Sequence, residues 1–226
     1  MATLIVARGG ALPDPAPWRA AGIALEQRDA PAHEVVHALR AALAGHAAAR
    51  QVVHGVLLDV HGVGVLLEGA AASGKSTLAL ELVTRGHRLV ADDAVELVRP
   101  AAGIVVGRCP GLLKGYVATR DLGVVDVGRM HGARALLPRR RVDLVVRLAA
   151  GTRRAGARQL LGGRRGTRRL LGERLPAVTL PVPRARTGHN HAALVEAACL
   201  DWRLRQDGIE ADAALARRQA RAIKKA

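Results

Sequence analysis

The sequence predicts an α/β fold organised around one phosphate-binding loop. Three observations carry this. Gly69-Ala-Ala-Ala-Ser-Gly-Lys-Ser76, followed by Thr77, fits the spacing G-x-x-x-x-G-K-[ST]. The residues before it, 62–68 (GVGVLLE), are apolar and β-branched enough for a buried strand, and those after it, 76–85 (STLALELVTR), carry apolar residues at helical spacing. Further strand-like and helix-like stretches flank this pair along the chain. The loop therefore sits between a strand end and a helix start, where backbone N–H groups and the positive end of the helix dipole can surround a phosphate. Gly69, Ala70, Ala71, Ala72, Ser73, Gly74, Lys75, Ser76 and Thr77 are the expected nucleotide-binding residues. Lys75 supplies a point charge for the outer phosphates and the Ser76 hydroxyl a ligand for Mg²⁺.

The elements follow in order. Gly9-Gly10 and Pro13, Pro15 and Pro17 read as loop and turn over residues 1–30. Residues 33–49 are helical, with Val35, Val36, Leu39, Leu43 and Ala47 on one face. Residues 51–60 (QVVHGVLLDV) form one strand, and His61-Gly62 a turn into the strand that feeds the loop. After the loop helix, Gly86 is a C-cap. Residues 88–91 make a short buried strand ending in Asp92-Asp93. Two carboxylates there have a use beyond a turn: one holds Mg²⁺, the other accepts a proton from an attacking hydroxyl. His54, alone on an apolar strand, reads from spacing as an ordinary core histidine.

Residues 95–98 and 104–107 form a hairpin, 111–120 a loop or irregular strand, 121–127 a turn and strand, and 142–148 a strong strand. Residues 150–173 are rich in Gly and Arg and read as a long basic loop. A strand over 178–182 lies between Pro176 and Pro183, and residues 191–205 form a helix. Three regions result: an N-terminal remnant (1–50), a catalytic domain (51–208) and a basic tail (209–226).

Composition bounds the partners. Half of the 226 residues are apolar, yet there is no Phe, one Tyr and two Trp, so the core is aliphatic. The net charge of +16 is concentrated after residue 100, in Arg clusters such as Arg139-Arg140-Arg141 and Arg164-Arg165. An anionic partner and a solvated basic surface both account for it. Nucleic acid is not expected, because aromatics to stack on bases are scarce and no binding motif occurs. No apolar run spans a membrane and no signal peptide is visible. Cys109 and Cys199 form no metal pattern, and the expected compartment is the cytoplasm.

The chain also resembles the catalytic domain of the HPr kinase/phosphorylase family, bacterial enzymes that phosphorylate a serine of the phosphocarrier protein HPr. The resemblance rests on residues 54–60 (HGVLLDV), 62–69, 78–95 (LALELVTRGHRLVADDAV), 122–127 (LGVVDV) and 142–146, then on Leu180-Pro-Val182, Gly188, Asn190 and Glu196-Ala-Ala198. It implies a P-loop kinase domain with a mixed twisted sheet, similar to phosphoenolpyruvate carboxykinase. It also implies ATP (or pyrophosphate in reverse) and Mg²⁺ as cofactors, a small protein such as HPr as substrate in the regulation of carbon metabolism, and a hexamer. Asp93 matches the catalytic aspartate, with Lys75 stabilising phosphate charge. Asp92 assists with metal or orientation, and His54 matches an active-site histidine. Arg154 and Arg158 both match a further arginine. Two departures stand out. The family's metal glutamate is Ala118 in Ala118-Thr-Arg-Asp-Leu-Gly123, with Asp121 as a shifted replacement. The late loop, Pro181 to Asn190, is three residues longer than the family's, which puts the reverse reaction in question. A nucleotide sensor with little transfer, or a kinase of another substrate, are the alternatives.

Overall fold

The computed structural model describes residues 2–6, 8, 10, 13–20, 23–38, 49–150, 165–182 and 190–223. Backbone contacts divide the chain into two units, Met1–Ala48 and Ala49–Ala226. In the first, β1 (Ala2–Val6) pairs in parallel with β2 (Ile23–Gln27), with α1 (Pro15–Ala20) between them. This corrects the expectation of loop over residues 1–30. Pro15 and Pro17 fall in the first turn of α1, where a missing N–H costs nothing, so these prolines start a helix rather than exclude one. Residues 32–38 form α2; the rest of the helix expected to residue 49 lies outside the described residues up to Ala48.

The second unit is built on a six-stranded mixed sheet in the order β13-β14-β12-β5-β4-β6. Its strands are β4 (Val56–Val60), β5 (Val63–Gly69), β6 (Arg88–Ala91), β12 (Leu144–Ala150), β13 (Arg165–Leu170) and β14 (Glu173–Val182). β5, β12 and β14 run parallel to one another; the others are antiparallel to their neighbours. A second, antiparallel sheet has the order β11-β8-β7-β3, from β3 (Ala49–His54), β7 (Ala94–Ala101), β8 (Ile104–Arg108) and β11 (Arg139–Arg141). The hairpin β9 (Tyr116–Thr119) and β10 (Gly123–Asp126) leads into α4 (Val127–His131). The helices are α3 (Lys75–Thr84), α5 (His191–Gln206) and α6 (Ala211–Ile223).

Side-chain alternation divides the core in two. Val56, Leu58, Val60, Val65, Leu67 and Val146 face α3 and α5, together with Leu78, Leu82 and Val195. Leu57, Leu66 and Val145, from the same strands, face the second sheet and meet Val95, Leu97 and Val105. The central strands are buried on both faces, which is why they read as unbroken apolar runs. The run expected as one strand over 51–60 is two, broken at Gly55. Residues 49–54 pair with β7, and residues 56–60 with β5 and β6. A side chain at Gly55 would come within 2.7 Å of the Leu67 carbonyl oxygen, so only glycine lets the chain pass there from one sheet to the other.

The expected basic loop over 150–173 is also corrected in part: residues 165–170 are β13, hydrogen-bonded to β14 through the tight Leu171-Gly172 turn. Residues 151–164, with Arg154 and Arg158, lie outside the described residues. β14 begins earlier than expected and contains Pro176, which precedes the first residue paired to β12, Ala177. Many basic residues are spent internally: Arg140 on Asp59, Arg165 on Asp201 and Asp212, and Arg205 on Asp201, Glu210 and Asp212. No helix among the described residues is long and apolar enough to cross a membrane.

Leu66 is fully buried between the two sheets, whereas Val52 on β3 is 63% exposed. Leu66→Ala should lower the unfolding free energy by about 2–5 kcal/mol. Val52→Ala should change it by less than about 0.5 kcal/mol, both read from denaturant unfolding followed by circular dichroism.

Candidate active site

The Gly69–Ser76 loop lies where the sequence places it, between the carboxyl end of β5 and the start of α3. A side chain at Gly69 would approach Ser73 Oγ at 2.7 Å and the Leu148 carbonyl oxygen at 2.9 Å, so the loop closes tightly against β12 only with glycine there. Gly74 (φ 86°) and Ala72 (φ 61°) are both left-handed. For Ala72 this stores on the order of 1 kcal/mol of strain, as loops shaped to bind a ligand often do. No side chain caps α3 and no acidic residue lies in its first turn, so its N-terminal N–H groups keep their affinity for an anion. Ser73 Oγ is buried with no hydrogen-bond partner among the described residues. Lys75 is buried, and its Nζ donates to the carbonyl oxygens of Gly69 and Ala70 at 3.0 Å each. The ammonium is thereby held inside the loop.

Asp92 stands at the end of β6, 3% exposed. The Ser76 hydroxyl donates to its Oδ1 at 3.0 Å, and the Ala118 backbone N–H donates to its Oδ2 at 3.1 Å. Burial raises its pKa above the usual carboxylate value, and the hydrogen bonds from Ala118 and Ser76 offset this only in part. A buried carboxylate beside a hydroxyl is a hard-oxygen donor pair suited to Mg²⁺.

Asp93 is the next residue and is left-handed, with φ 67°. Its conformation is held from the junction of β3 and β4. Gly55 N–H donates to the Asp93 carbonyl oxygen at 3.1 Å. His54 Nδ1 lies 3.0 Å from that oxygen and 3.0 Å from Asp93 Oδ1. A carbonyl oxygen only accepts, so Nδ1 carries the proton. The break at Gly55 thus brings His54 onto Asp93, and the Asp93 carboxylate remains exposed to solvent. His54 is a surface residue that fixes an aspartate, not a packed core histidine.

The structure connects Ser76, Asp92, Asp93 and His54 through one chain of contacts that starts beside Lys75. Asp121 lies in the turn between β9 and β10 and does not form with Asp92 and Asp93 a group of three close ligand atoms. Residues 183–189 of the late loop lie outside the described residues. Two features were not foreseen. One is the Ala118 backbone as a partner of Asp92. The other is Glu68, one residue before the loop, which pairs with Arg168 at 3.0 Å and Arg147 at 3.4 Å. The second could have been found only from strand register, which sets Arg147 opposite Glu68.

Comparison with known proteins agrees with this geometry. Residues 45–219 match the family model described as HPr Serine kinase C-terminal domain. An HPr kinase/phosphorylase of Exiguobacterium sibiricum is 40% identical over 171 residues, which is 76% of this chain and 54% of that protein. One from Stenotrophomonas maltophilia is 41% identical over 180 residues, 79% of this chain and 56% of that protein. The chain thus spans about half the length of the curated relatives it matches. Among solved structures, the Hpr(Ser) kinase/phosphatase of Coxiella burnetii superposes with a TM-score of 0.64 at 30% identity, over 70% of this chain and 93% of that one. With its phosphate loop, mixed sheet and paired aspartates in place, the chain belongs to the HPr serine kinase C-terminal domain family.

Proposed function

We propose that the chain is an ATP- and Mg²⁺-dependent serine kinase of the cytoplasm whose substrate is HPr or a similar small phosphocarrier protein. The observation that carries this reading is Asp93, an exposed carboxylate held by His54 beside the Ser76–Asp92 pair. The loop residues fit a nucleotide: the glycine-only closure at Gly69, the start of α3 without a side-chain cap and the Ser73 hydroxyl, which has no partner among the described residues, all meet the needs of phosphate oxygens. Ser76 and Asp92 would hold Mg²⁺. Bound ATP·Mg²⁺ supplies the phosphoryl group and the charge neutralisation. Asp93 accepts the proton of the substrate serine as its oxygen attacks, and His54 keeps that carboxylate in place. Lys75, released from the carbonyls of Gly69 and Ala70, meets the charge on the transferring group. Catalysis of this kind is positioning and electrostatics. Self-association, hexameric by resemblance to the family, is supported by exposed apolar residues on the last two helices and between them, among them Leu204, Ile209 and Ile223. Arg154 or Arg158 would supply a further active-site cation.

The test is transfer of labelled phosphate from ATP to HPr. Lys75→Ala should reduce it to background, and Asp93→Asn should lower the rate by about 10²- to 10⁴-fold, the span of a lost general base. ATP binding without serine labelling by the wild type would overturn the proposal and leave a sensor.

Metal dependence should show the cost of Ala118. Its side chain is exposed on β9, and its N–H already touches Asp92. Ala118→Glu places a third oxygen ligand nearby and should lower the Mg²⁺ needed for half-maximal transfer by about ten-fold.

The pH dependence follows from burial of Asp92. Its folded pKa is raised, so it is ionised above that value and takes up a proton as the pH falls through it. Protons then compete with the cation. The Mg²⁺ needed for half-maximal transfer should rise on acidification, beginning at a higher pH than for an exposed aspartate.

A further inference from the structure

A second cluster of chemistry-bearing residues lies at the other end of β5. His61 and Gly62 form the tight turn between β4 and β5, with φ 52° and 79°. His87 stands between α3 and β6, and Glu196 on α5. The seven residues of β5 separate this turn from the phosphate loop, roughly 20 Å at strand rise.

His87 is buried, and its Nε2 lies 2.9 Å from Glu196 Oε1. The His61 ring meets the His87 ring edge-on, with centroids 4.6 Å apart and planes at 82°. One ligand atom from each of the three residues falls within 4.8 Å of the others. Two further contacts hold these groups in place. Arg85 binds the second Glu196 oxygen, Oε2, at 3.1 Å and leaves Oε1 to the cluster. Arg203 donates to the His61 carbonyl oxygen at 3.2 Å and steadies the turn. A cavity of about 270 Å³, lined by Asp59, His61, Arg85, His87 and Arg88, opens beside it.

We propose that His61, His87 and Glu196 form a binding site for a divalent transition-metal ion, Zn²⁺ foremost. Zinc bonds to imidazole and carboxylate of about 2.0–2.2 Å place tetrahedral ligands roughly 3.3 Å apart. The His87–Glu196 pair is already near that spacing, and His61 is exposed on a turn, so its ring closes the remaining gap by rotation. On binding, the proton His87 Nε2 shares with Glu196 shifts to Nδ1 and leaves the lone pair for the ion; imidazole and carboxylate both stay unprotonated at the metal. Two nitrogens and one oxygen select Zn²⁺, Ni²⁺ or Co²⁺ over Mg²⁺. The fourth position faces the cavity and takes water. The ion ties the β4–β5 turn, the end of the loop helix and α5 into one cross-link. The proposal does not rest on the transfer reaction, and Lys75→Ala should leave it untouched.

The test is calorimetric titration of the full chain, stripped with chelator, with Zn²⁺, Co²⁺ and Mg²⁺. Wild type should bind Zn²⁺ at this site, show the visible absorption of tetrahedral Co²⁺ and ignore Mg²⁺ there. His61→Asn, chosen because asparagine tolerates a positive φ, should keep the melting curve of metal-free wild type. It should lose on the order of ten-fold or more in Zn²⁺ affinity, together with the Co²⁺ band. His61→Cys should retain both. His33 and His37, which line a separate cavity on α2, are the competing imidazole pair; loss of the band in a double variant of these two, or equal Zn²⁺ affinity in wild type and His61→Asn, would overturn the assignment.

Discussion

The carboxylate of Asp92 is the point where the strands, the loop helix and the β9–β10 hairpin are joined. It lies buried at the end of β6, between the hydroxyl of Ser76 on α3 and the N–H of Ala118 on β9. A charged group out of water needs partners, and Ser76 and Ala118, from elements far apart in sequence, supply two of them. Desolvation still outweighs them, and its pKa stays raised. Burial thus favours the neutralised carboxylate over the bare anion. Its contacts with Ser76 and Ala118 set the phosphate loop and the β9–β10 hairpin beside the Asp92-Asp93 pair.

The division of the core explains how such a register is kept. The central strands β4, β5 and β12 bury both faces, one under α3 and α5 and one against the second sheet. Strands packed on both sides cannot slide without exposing a full row of Val and Leu. The phosphate loop is therefore mounted on a strand whose first five residues are buried. Its neighbour Glu68 is further held by Arg147 and Arg168. The strained backbones of Ala72 and Asp93 sit where this scaffold is stiff enough to maintain them.

The two ends of β5 illustrate different uses of the same strand. At its carboxyl end a glycine-bounded loop presents N–H groups and a lysine. At its amino end the His61-Gly62 turn presents an imidazole to His87 and Glu196. The paired arginines show why net charge alone was a weak guide to partners. Arg140, Arg165 and Arg205 each answer an aspartate within the fold, so much of the positive charge is internal structure.

By itself the sequence determined the loop, its strand and helix, the Asp92-Asp93 pair at a strand end, and the family. The loop, its flanks and the aspartate pair depend on neighbours within a few residues, where spacing and residue type are sufficient; the family rests on a series of such segments between residues 54 and 198. Tertiary structure decided the rest. The apolar run over 51–60 carries no mark of being split between two sheets except Gly55, whose need arises from the Leu67 carbonyl oxygen across the fold. The contacts of His54 and Ala118 follow from that crossing and from β9 meeting Asp92 just beyond β6, and both join residues that no periodicity connects. β13 was hidden because an arginine-rich edge strand has no apolar alternation to read; its pairing with β14 supplies the order instead. Local pattern specified which residues could bind phosphate. Long-range packing chose which histidine and which aspartate stand beside them, because only burial and backbone hydrogen bonding between distant segments orient those side chains.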